Sequence, residues 1–75
     1  MDYPAYRKLS NNKSFYKILS ESEFEEIQLV GSSLIKTKTQ AQKFPEIIRI
    51  KEMLSLVGPF LKSSVKEYEL YASKL

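Results

Sequence analysis

The residues best suited to acid-base chemistry in this sequence are glutamates, because the chain contains no histidine and no cysteine. Four of them lie close together: Glu21, Glu23, Glu25 and Glu26. Such a cluster could transfer protons or bind a metal ion. The glutamates also follow Ser20 directly, as acidic residues do at the start of a helix, where the helix dipole favours them. The usual general bases, thiol nucleophiles and transition-metal ligands are lacking. We therefore expect a protein that is not an enzyme and that uses no cofactor and no metal.

Serine and glycine offer no stronger catalytic pattern. The serines lack the histidine partner that activates a serine nucleophile. The two glycines, Gly31 and Gly58, are too far apart in the chain to build a dinucleotide or phosphate loop. No small-molecule ligand is evident from these motifs, so the sequence points to a binding surface instead.

The composition is that of one small globular domain over residues 1–75. It is 43% hydrophobic and 28% charged, which lies outside the range of disordered chains. A domain of this size buries only about 60–65% of the surface that its unfolded chain exposes, so we expect self-association, with a dimer as its simplest form. The absence of cysteine fits a reducing compartment, and no apolar run approaches the ~20 residues of a membrane span. The sequence thus predicts a cytoplasmic protein that does not bind a membrane.

Charge alternates in blocks along the chain. Residues 20–30 contain glutamates and no basic residue, whereas lysine and arginine dominate residues 1–19 and 31–51. Opposite blocks of this kind are typical of neighbouring elements that attract one another in the folded domain.

The N-terminal stretch YRKLSNNKSFYKI, residues 6–18, predicts a β-hairpin. Both flanks are rich in residues that favour strands, and Asn11-Asn12 can adopt the positive φ of a tight turn. A two-residue loop would place four aromatic and basic side chains on one face: Tyr6, Lys8, Phe15 and Lys17. A three-residue loop would shift the register by one residue, so the sequence leaves open which face is basic.

Residues 20–30 predict a helix. Ser20 and Glu23 have the spacing of a capping box, and Ser22 with Glu25 forms an alternative one. Apolar residues recur at every third position, namely Phe24, Ile27 and Val30. Gly31 is a suitable residue to end such a helix.

The segment over residues 33–43 fits both a strand and a helix. Isoleucine, two threonines and an alanine alternate with polar residues as in a half-buried strand, whereas Leu34, Ala41 and Phe44 would share one face of a helix. We favour the strand, because a hairpin needs a third strand to be stable in water.

Two more helices are predicted in the C-terminal half. The first begins at Pro45 and ends at Gly58-Pro59, and the second begins at a capping box formed by Ser64 and Glu67. The predicted order is ββαβαα, an α+β domain in which a small antiparallel sheet, made of the N-terminal hairpin and one further strand, is covered by helices on one face. An all-α small bundle is the alternative.

Between Tyr6 and about Leu54 the chain resembles a group of short uncharacterised bacterial single-domain proteins. The features that carry the resemblance are a Tyr-Arg-Lys start, an asparagine-containing turn and the motifs KSFYKI and SEFEEIQ, whereas IKTKTQAQ fits the group less well. The resemblance implies a bacterial cytoplasmic protein. It implies no activity and no site residue.

Two binding functions remain. The first is a small interaction or regulatory module that binds protein, either a partner or a second copy, through an exposed sheet edge or the apolar stretch IIRIKEMLSLVGPFL. The alternative is nucleic-acid binding by a basic, aromatic sheet face, where rings stack on bases and lysines neutralise phosphates. The candidate binding surface consists of Tyr6, Lys8, Lys13, Phe15, Tyr16, Lys17, Lys36 and Lys38, with Lys43 as a further basic residue.

Overall fold

A computed structural model describes residues 3–75, which form a five-stranded antiparallel sheet between two helices. The elements follow one another as β1 (Ala5–Leu9), β2 (Ser14–Ser20), β3 (Glu23–Val30), β4 (Ser33–Gln40), α1 (Phe44–Ser55), β5 (Phe60–Lys62) and α2 (Val65–Ala72). Within the sheet the strands lie in the order β4-β3-β2-β1-β5, so β4 and β5 are the edges.

The two helices lie on opposite sides of the sheet. Successive residues of a strand point to opposite sides, and β2 uses both. Tyr16 packs with Ile50 and Met53 of α1, whereas the preceding Phe15 packs with Tyr68 of α2. We call these two surfaces the α1 side and the α2 side. The fold therefore has two separate clusters of buried side chains, one on each side of a single sheet.

The prediction of a helix over residues 20–30 is wrong. These residues form the turn after β2 and the strand β3, which pairs with β2 and with β4. Phe24 and Ile27, whose spacing suggested a helix, are buried on the α1 side and the α2 side respectively. Ser20 serves the turn, because its hydroxyl oxygen accepts a 3.2 Å hydrogen bond from the N–H of Ser22. Because β3 buries apolar side chains on both of its sides, its sequence lacks the regular alternation of apolar and polar residues that is typical of a half-buried strand.

The fold class predicted from the sequence is therefore corrected. The domain is α+β, but its order is ββββαβα instead of ββαβαα, its sheet has five strands instead of three, and its helices cover both sides. The all-α bundle is also wrong. The strand predicted over residues 33–43 is present as β4, and the two C-terminal helices are present as α1 and α2. The first of these helices ends at Ser55, where Leu56 adopts a φ of 57°, and not at Gly58-Pro59.

Local chemistry explains the turns between the strands. Asn12 has a φ of 59°, which asparagine tolerates better than most residues, and the side chain of Asn11 accepts a 2.9 Å hydrogen bond from the N–H of Lys13. Gly31, with a φ of 61°, is the first of the two residues that join β3 to β4. The β1–β2 register sets Tyr6 opposite Lys17 and Lys8 opposite Phe15, which is the register of the two-residue loop.

Side-chain hydrogen bonds satisfy backbone groups at the C-terminal end of α1 and at the start of α2. The guanidinium group of Arg7 in β1 donates to the carbonyl oxygens of Met53 (2.8 Å) and Leu54 (3.4 Å), at the C-terminal end of α1. A cation is favourable there because the carbonyl end of a helix is negative. At the start of α2, the hydroxyl oxygen of Ser64 accepts a 3.1 Å hydrogen bond from the N–H of Glu67. Within residues 3–75 no helix is long and apolar enough to cross a membrane.

Candidate binding surface

The structure divides the eight predicted surface residues among three locations. Tyr16 lies on the α1 side, and Lys13 lies in the exposed turn between β1 and β2. The other six lie on the α2 side: Tyr6, Lys8, Phe15, Lys17, Lys36 and Lys38. Most of the predicted set therefore shares one side of the sheet, although α2 covers part of it.

Phe15 and Tyr16 are core residues. Each is only 1% exposed to solvent. The ring of Phe15 stacks on Tyr71 of α2 with centroids 4.4 Å apart, and the ring of Tyr16 meets Phe60 edge to face at 5.9 Å. Burial, followed by the nearby Glu26 carboxylate, raises the pKa of the Tyr16 hydroxyl above its ordinary value. Neither aromatic ring is available to stack on a ligand in this conformation.

Tyr6 and Lys8 are occupied by contacts with α2. The Tyr6 ring lies 5.7 Å from the Tyr68 ring, and the ammonium group of Lys8 lies 3.0 Å from a carboxylate oxygen of Glu67. The other carboxylate oxygen of Glu67 accepts a hydrogen bond from the hydroxyl group of Ser63. These two hydrogen bonds, from Ser63 first and Lys8 second, lower the pKa of the Glu67 carboxyl. Tyr6 and Lys8 thus help to hold α2 on the sheet.

The remaining lysines form a ladder of alternating charge with the glutamates of β3. Lys17 in β2 lies opposite Glu25 in β3, which lies opposite Lys38 in β4. The ammonium group of Lys38 is 3.1 Å from a carboxylate oxygen of Glu23, and that of Lys36 is 3.7 Å from one of Glu25. We call Lys17, Glu23, Glu25, Lys36 and Lys38 the charge ladder. It ends in two lysines at the free edge of the sheet, where their side chains are 46% (Lys36) and 57% (Lys38) exposed.

The free edge of β4 also presents unpaired backbone groups. A two-residue hairpin loop makes Val30 and Ser33 a hydrogen-bonded pair, and hydrogen-bonded pairs then alternate along β3 and β4. The pattern continues past the strand end, where the N–H of Ala41 donates to the carbonyl of Ser22. Four intervening residues therefore direct their N–H and C=O groups away from β3: Leu34, Lys36, Lys38 and Gln40.

On the α1 side, the region next to this edge carries no charged side chain on β4 and exposes apolar ones. Val30 is 49% exposed and Ile35 is 47% exposed. Gln28, which lies opposite Ile35, and Thr37 are also exposed. The same edge therefore has a basic border on the α2 side and an uncharged, partly apolar border on the α1 side.

The glutamate cluster seen in the sequence is dispersed by the strand. Glu21 lies in the turn, Glu23 and Glu25 lie on the α2 side, and Glu26 lies on the α1 side opposite Tyr16. Within the part of the chain that the structure describes, no group of three histidine, cysteine, aspartate or glutamate side chains could hold a metal ion.

A groove of about 710 Å³ lies between α1 and the turn after β2. Its lining includes Tyr3, Ile47 and Leu54, with Glu21 and Lys51 as the charged members. One acid and one lysine do not form the convergent set of polar groups that marks a catalytic pocket. The groove therefore adds no catalytic candidate to those considered from the sequence.

Sequence reasoning identified the lysines and an exposed sheet edge, but it did not identify the partners of the lysines or the strand that forms the edge. Glu23 and Glu25 were assigned to helix capping boxes. The outward-facing backbone groups of β4 cannot be identified from residue types, because almost every residue has them. The sequence did contain one indication of these partners. Residues 20–30 are acidic and residues 31–51 are basic, and the ion pairs between β3 and β4 join these two segments.

No protein family, curated protein or solved structure matches the chain. The resemblance to short bacterial proteins therefore stays a prediction, and function has to be inferred from the geometry of the chain's own residues.

Proposed function

We propose that this protein is a small, non-enzymatic interaction module that binds protein by taking an extended segment of its partner onto the free edge of β4. The observation that carries this proposal is an eight-residue edge strand with the backbone groups of four residues directed outward. In strand addition, backbone hydrogen bonds supply affinity and alternate side chains supply specificity.

The edge at β4 contrasts with the other edge of the sheet. Strand β5 has only three residues, and a short edge strand is one usual protection against unwanted pairing. Strand β4 has an uninterrupted register of eight pairs with β3, without a bulge and without proline. Of the usual features that prevent an edge strand from pairing with other chains, β4 has only its charged lysine side chains. These lysines favour a partner of complementary charge over other extended segments.

Self-association is the second form that the proposal takes. Phe44, at the start of α1, is 72% exposed, and Ile48 is exposed one helical turn later. An apolar pair of this kind on the outside of a helix suits contact with a second copy. Light scattering at roughly 100 μM should then return more than the mass of one chain, because a stable dimer persists well below that concentration. The mass of one chain alone would remove this form.

Nucleic-acid binding is less well supported than protein binding. Phe15 and Tyr16 lie in the core and cannot stack on bases, and Glu23 and Glu25 lie among the lysines on the same side of the sheet, where they would repel a row of phosphates. Titration with mixed single-stranded oligonucleotides at low salt tests this alternative, since contacts to phosphates would give an affinity that falls with log salt at a slope of about 0.7 per phosphate.

A bacterial cytoplasmic location is part of the same proposal. The absence of cysteine from the sequence and the resemblance to short bacterial proteins support it.

Peptide selection tests strand addition directly. A phage library of random extended peptides is selected on the wild-type chain, and each enriched clone is then measured on the variants Lys38→Gln and Lys38→Pro. Both variants remove the same charge, but only proline removes the outward-facing N–H of residue 38. Clones that bind the glutamine variant and fail to bind the proline variant depend on the backbone edge. Failure to enrich any clone, or equal binding to both variants, would contradict the proposal.

A further inference from the structure

We infer that the segment that binds β4 carries two acidic side chains, two residues apart, that lie opposite Lys36 and Lys38, with an uncharged β-branched or apolar residue between them. This inference rests on the proposed function and specifies the chemistry of the partner at the same edge.

The first support is the alternation of charge across the sheet. On the α2 side the sign changes from Lys17 in β2 to Glu25 in β3 and to Lys38 in β4. Side chains directly opposite one another on neighbouring strands interact, and opposite charges stabilise the pair. A further strand beyond β4 continues the alternation only if it carries an acid opposite Lys38.

The second support is that the lysines are only partly neutralised. Glu25 is the carboxylate nearest to Lys36, at 3.7 Å, but it also lies opposite Lys17 and accepts a 3.2 Å hydrogen bond from the hydroxyl group of Tyr68. This one carboxylate is therefore shared between the hydroxyl group of Tyr68 and the ammonium group of Lys36. Lys38 has its own partner, Glu23, at 3.1 Å, but the three lysines of the charge ladder outnumber its two glutamates. Positive charge therefore remains at the edge, where Lys36 and Lys38 keep about half of their side-chain surface exposed.

The same lysines disfavour a second copy of β4 as the occupant. In a two-fold antiparallel pairing centred on Thr37, Lys36 of one copy would lie opposite Lys38 of the other. A pairing centred on either lysine would set that lysine opposite its own counterpart. Like charges in directly opposite positions are destabilising. A pairing centred on Ile35 avoids this arrangement, but it joins only residues 33–37 of each copy and leaves the rest of the edge open.

The α1 side defines the residue between the two acids. A residue opposite Thr37 would project on the side where β4 has no charge and where Ile35 is exposed. β-branched side chains pack well beside threonine and isoleucine on a pleated surface. The expected motif in the partner is therefore acid, uncharged residue, acid, in extended conformation.

The probe for this inference is a labelled synthetic peptide of seven residues, with glutamate at its third and fifth positions, valine beside and between them, and threonine at both ends. Its counterpart has lysine in place of both glutamates. Binding to the full chain is followed by fluorescence anisotropy at low salt. We expect the acidic peptide to bind at least about tenfold more tightly than the basic one, since two cross-strand charge pairs change sign between them.

Matched variants locate the charge effect. The double variant Lys36→Gln/Lys38→Gln should weaken the acidic peptide by about tenfold, whereas Lys51→Gln/Lys66→Gln, which removes the same charge from exposed helix positions, should change binding by less than about twofold. Circular dichroism checks that both variants are folded. Equal effects of the two double variants would overturn the inference, because they would indicate only attraction to net charge.

Backbone methylation locates the hydrogen bonds. Lys36 and Lys38 direct their backbone groups outward, so the residues opposite them in an antiparallel partner exchange N–H···O bonds with them. N-methylation of both glutamates should therefore lower affinity by at least about tenfold, whereas N-methylation of the valine between them should leave it within about twofold. The opposite order of effects, or no effect of either, would overturn the inference.

Failure of the inference and failure of the proposed function are distinguishable. Enriched clones from the phage selection that depend on the edge but lack paired acids would uphold strand addition and overturn the acidic motif. A selection without edge-dependent clones, together with no binding of either synthetic peptide, would remove both.

Discussion

The hydroxyl group of Tyr68 in α2 donates a 3.2 Å hydrogen bond to a carboxylate oxygen of Glu25 in β3. This contact joins residues 43 positions apart and connects α2 to the charge ladder. Burial, and after it the negative charge of Glu25, raises the pKa of the Tyr68 hydroxyl well above its ordinary value of 10.0. Glu25 is thus a structural acceptor in the sheet, besides being a partner of Lys36.

Replacement of Tyr68 by phenylalanine tests the value of this contact. Tyr68→Phe keeps the ring in contact with Tyr6 and in the cluster that contains Phe15, but it removes the hydrogen bond to a charged acceptor. The free energy of unfolding should therefore fall by about 1.5–3 kcal/mol. Tyr71→Phe is the matched control, because it keeps the ring that stacks on Phe15. This variant should lower the free energy of unfolding by less than about 0.5 kcal/mol. Urea unfolding measures both. An equal loss in the two variants would contradict a specific role for the Tyr68 hydroxyl group.

High pH should destabilise the fold through the same hydroxyl group. The folded protein keeps the Tyr68 proton above pH 10, whereas the unfolded chain releases it, so stability is present below pH 10 and is lost as the pH rises above that value. At roughly pH 11, one unit above the ordinary pKa, the loss from Tyr68 is about 1.4 kcal/mol. Urea midpoints at pH 8 and pH 11 should therefore differ less for Tyr68→Phe than for the wild type. An identical difference in both proteins would show that Tyr68 does not bind its proton more tightly in the folded state.

The buried aromatics of the hairpin should behave as core residues. Phe15→Ala and Tyr16→Ala should each lower the free energy of unfolding by about 3–5 kcal/mol, because each creates a cavity under a helix. Such a loss is a large part of the stability of a small domain, so Phe15→Leu is the milder companion variant. Lys13→Gln in the exposed turn should change stability by less than about 0.5 kcal/mol. Full stability of the alanine variants would instead favour an exposed, base-stacking position for these rings.

A pair of proline variants tests the direction of the backbone groups in β4. Thr37→Pro removes an N–H that bonds to β3, whereas Lys38→Pro removes one that points to the free edge. Thr37→Pro should therefore cost at least about 1 kcal/mol more than Lys38→Pro in thermal or urea unfolding. Lys38→Gln corrects for the lost charge. The reverse order would mean that the alternation along β4 is shifted by one residue and that the edge-facing set is the odd-numbered one.

The sequence determined the features of the fold that depend on neighbouring residues in the chain. Asn11-Asn12 marked the first turn, because asparagine accepts the left-handed conformation that Asn12 adopts. Pro45 indicated the start of α1, in whose first turn it lies, although α1 ends at Ser55 and not at Gly58-Pro59. Ser64 indicated the start of α2, where its hydroxyl oxygen accepts a hydrogen bond from the N–H of Glu67. The alternating charge blocks indicated that elements of opposite sign would lie side by side.

Only the tertiary structure decided what lies on each side of the sheet. Phe24 and Ile27 have helical spacing in β3 because α1 buries one and α2 buries the other, and no local pattern reveals that a strand is covered on both sides. The same two helices bury the neighbouring rings of Phe15 and Tyr16, both of which the sequence analysis included in a candidate binding surface. The position of β4 at the edge is likewise a property of the whole sheet. Nearly all residue types have a backbone N–H and C=O, and these groups face outward only where a strand lies at the edge of the sheet. The candidate site therefore depends on strand order, which arises from pairing between residues distant in the sequence.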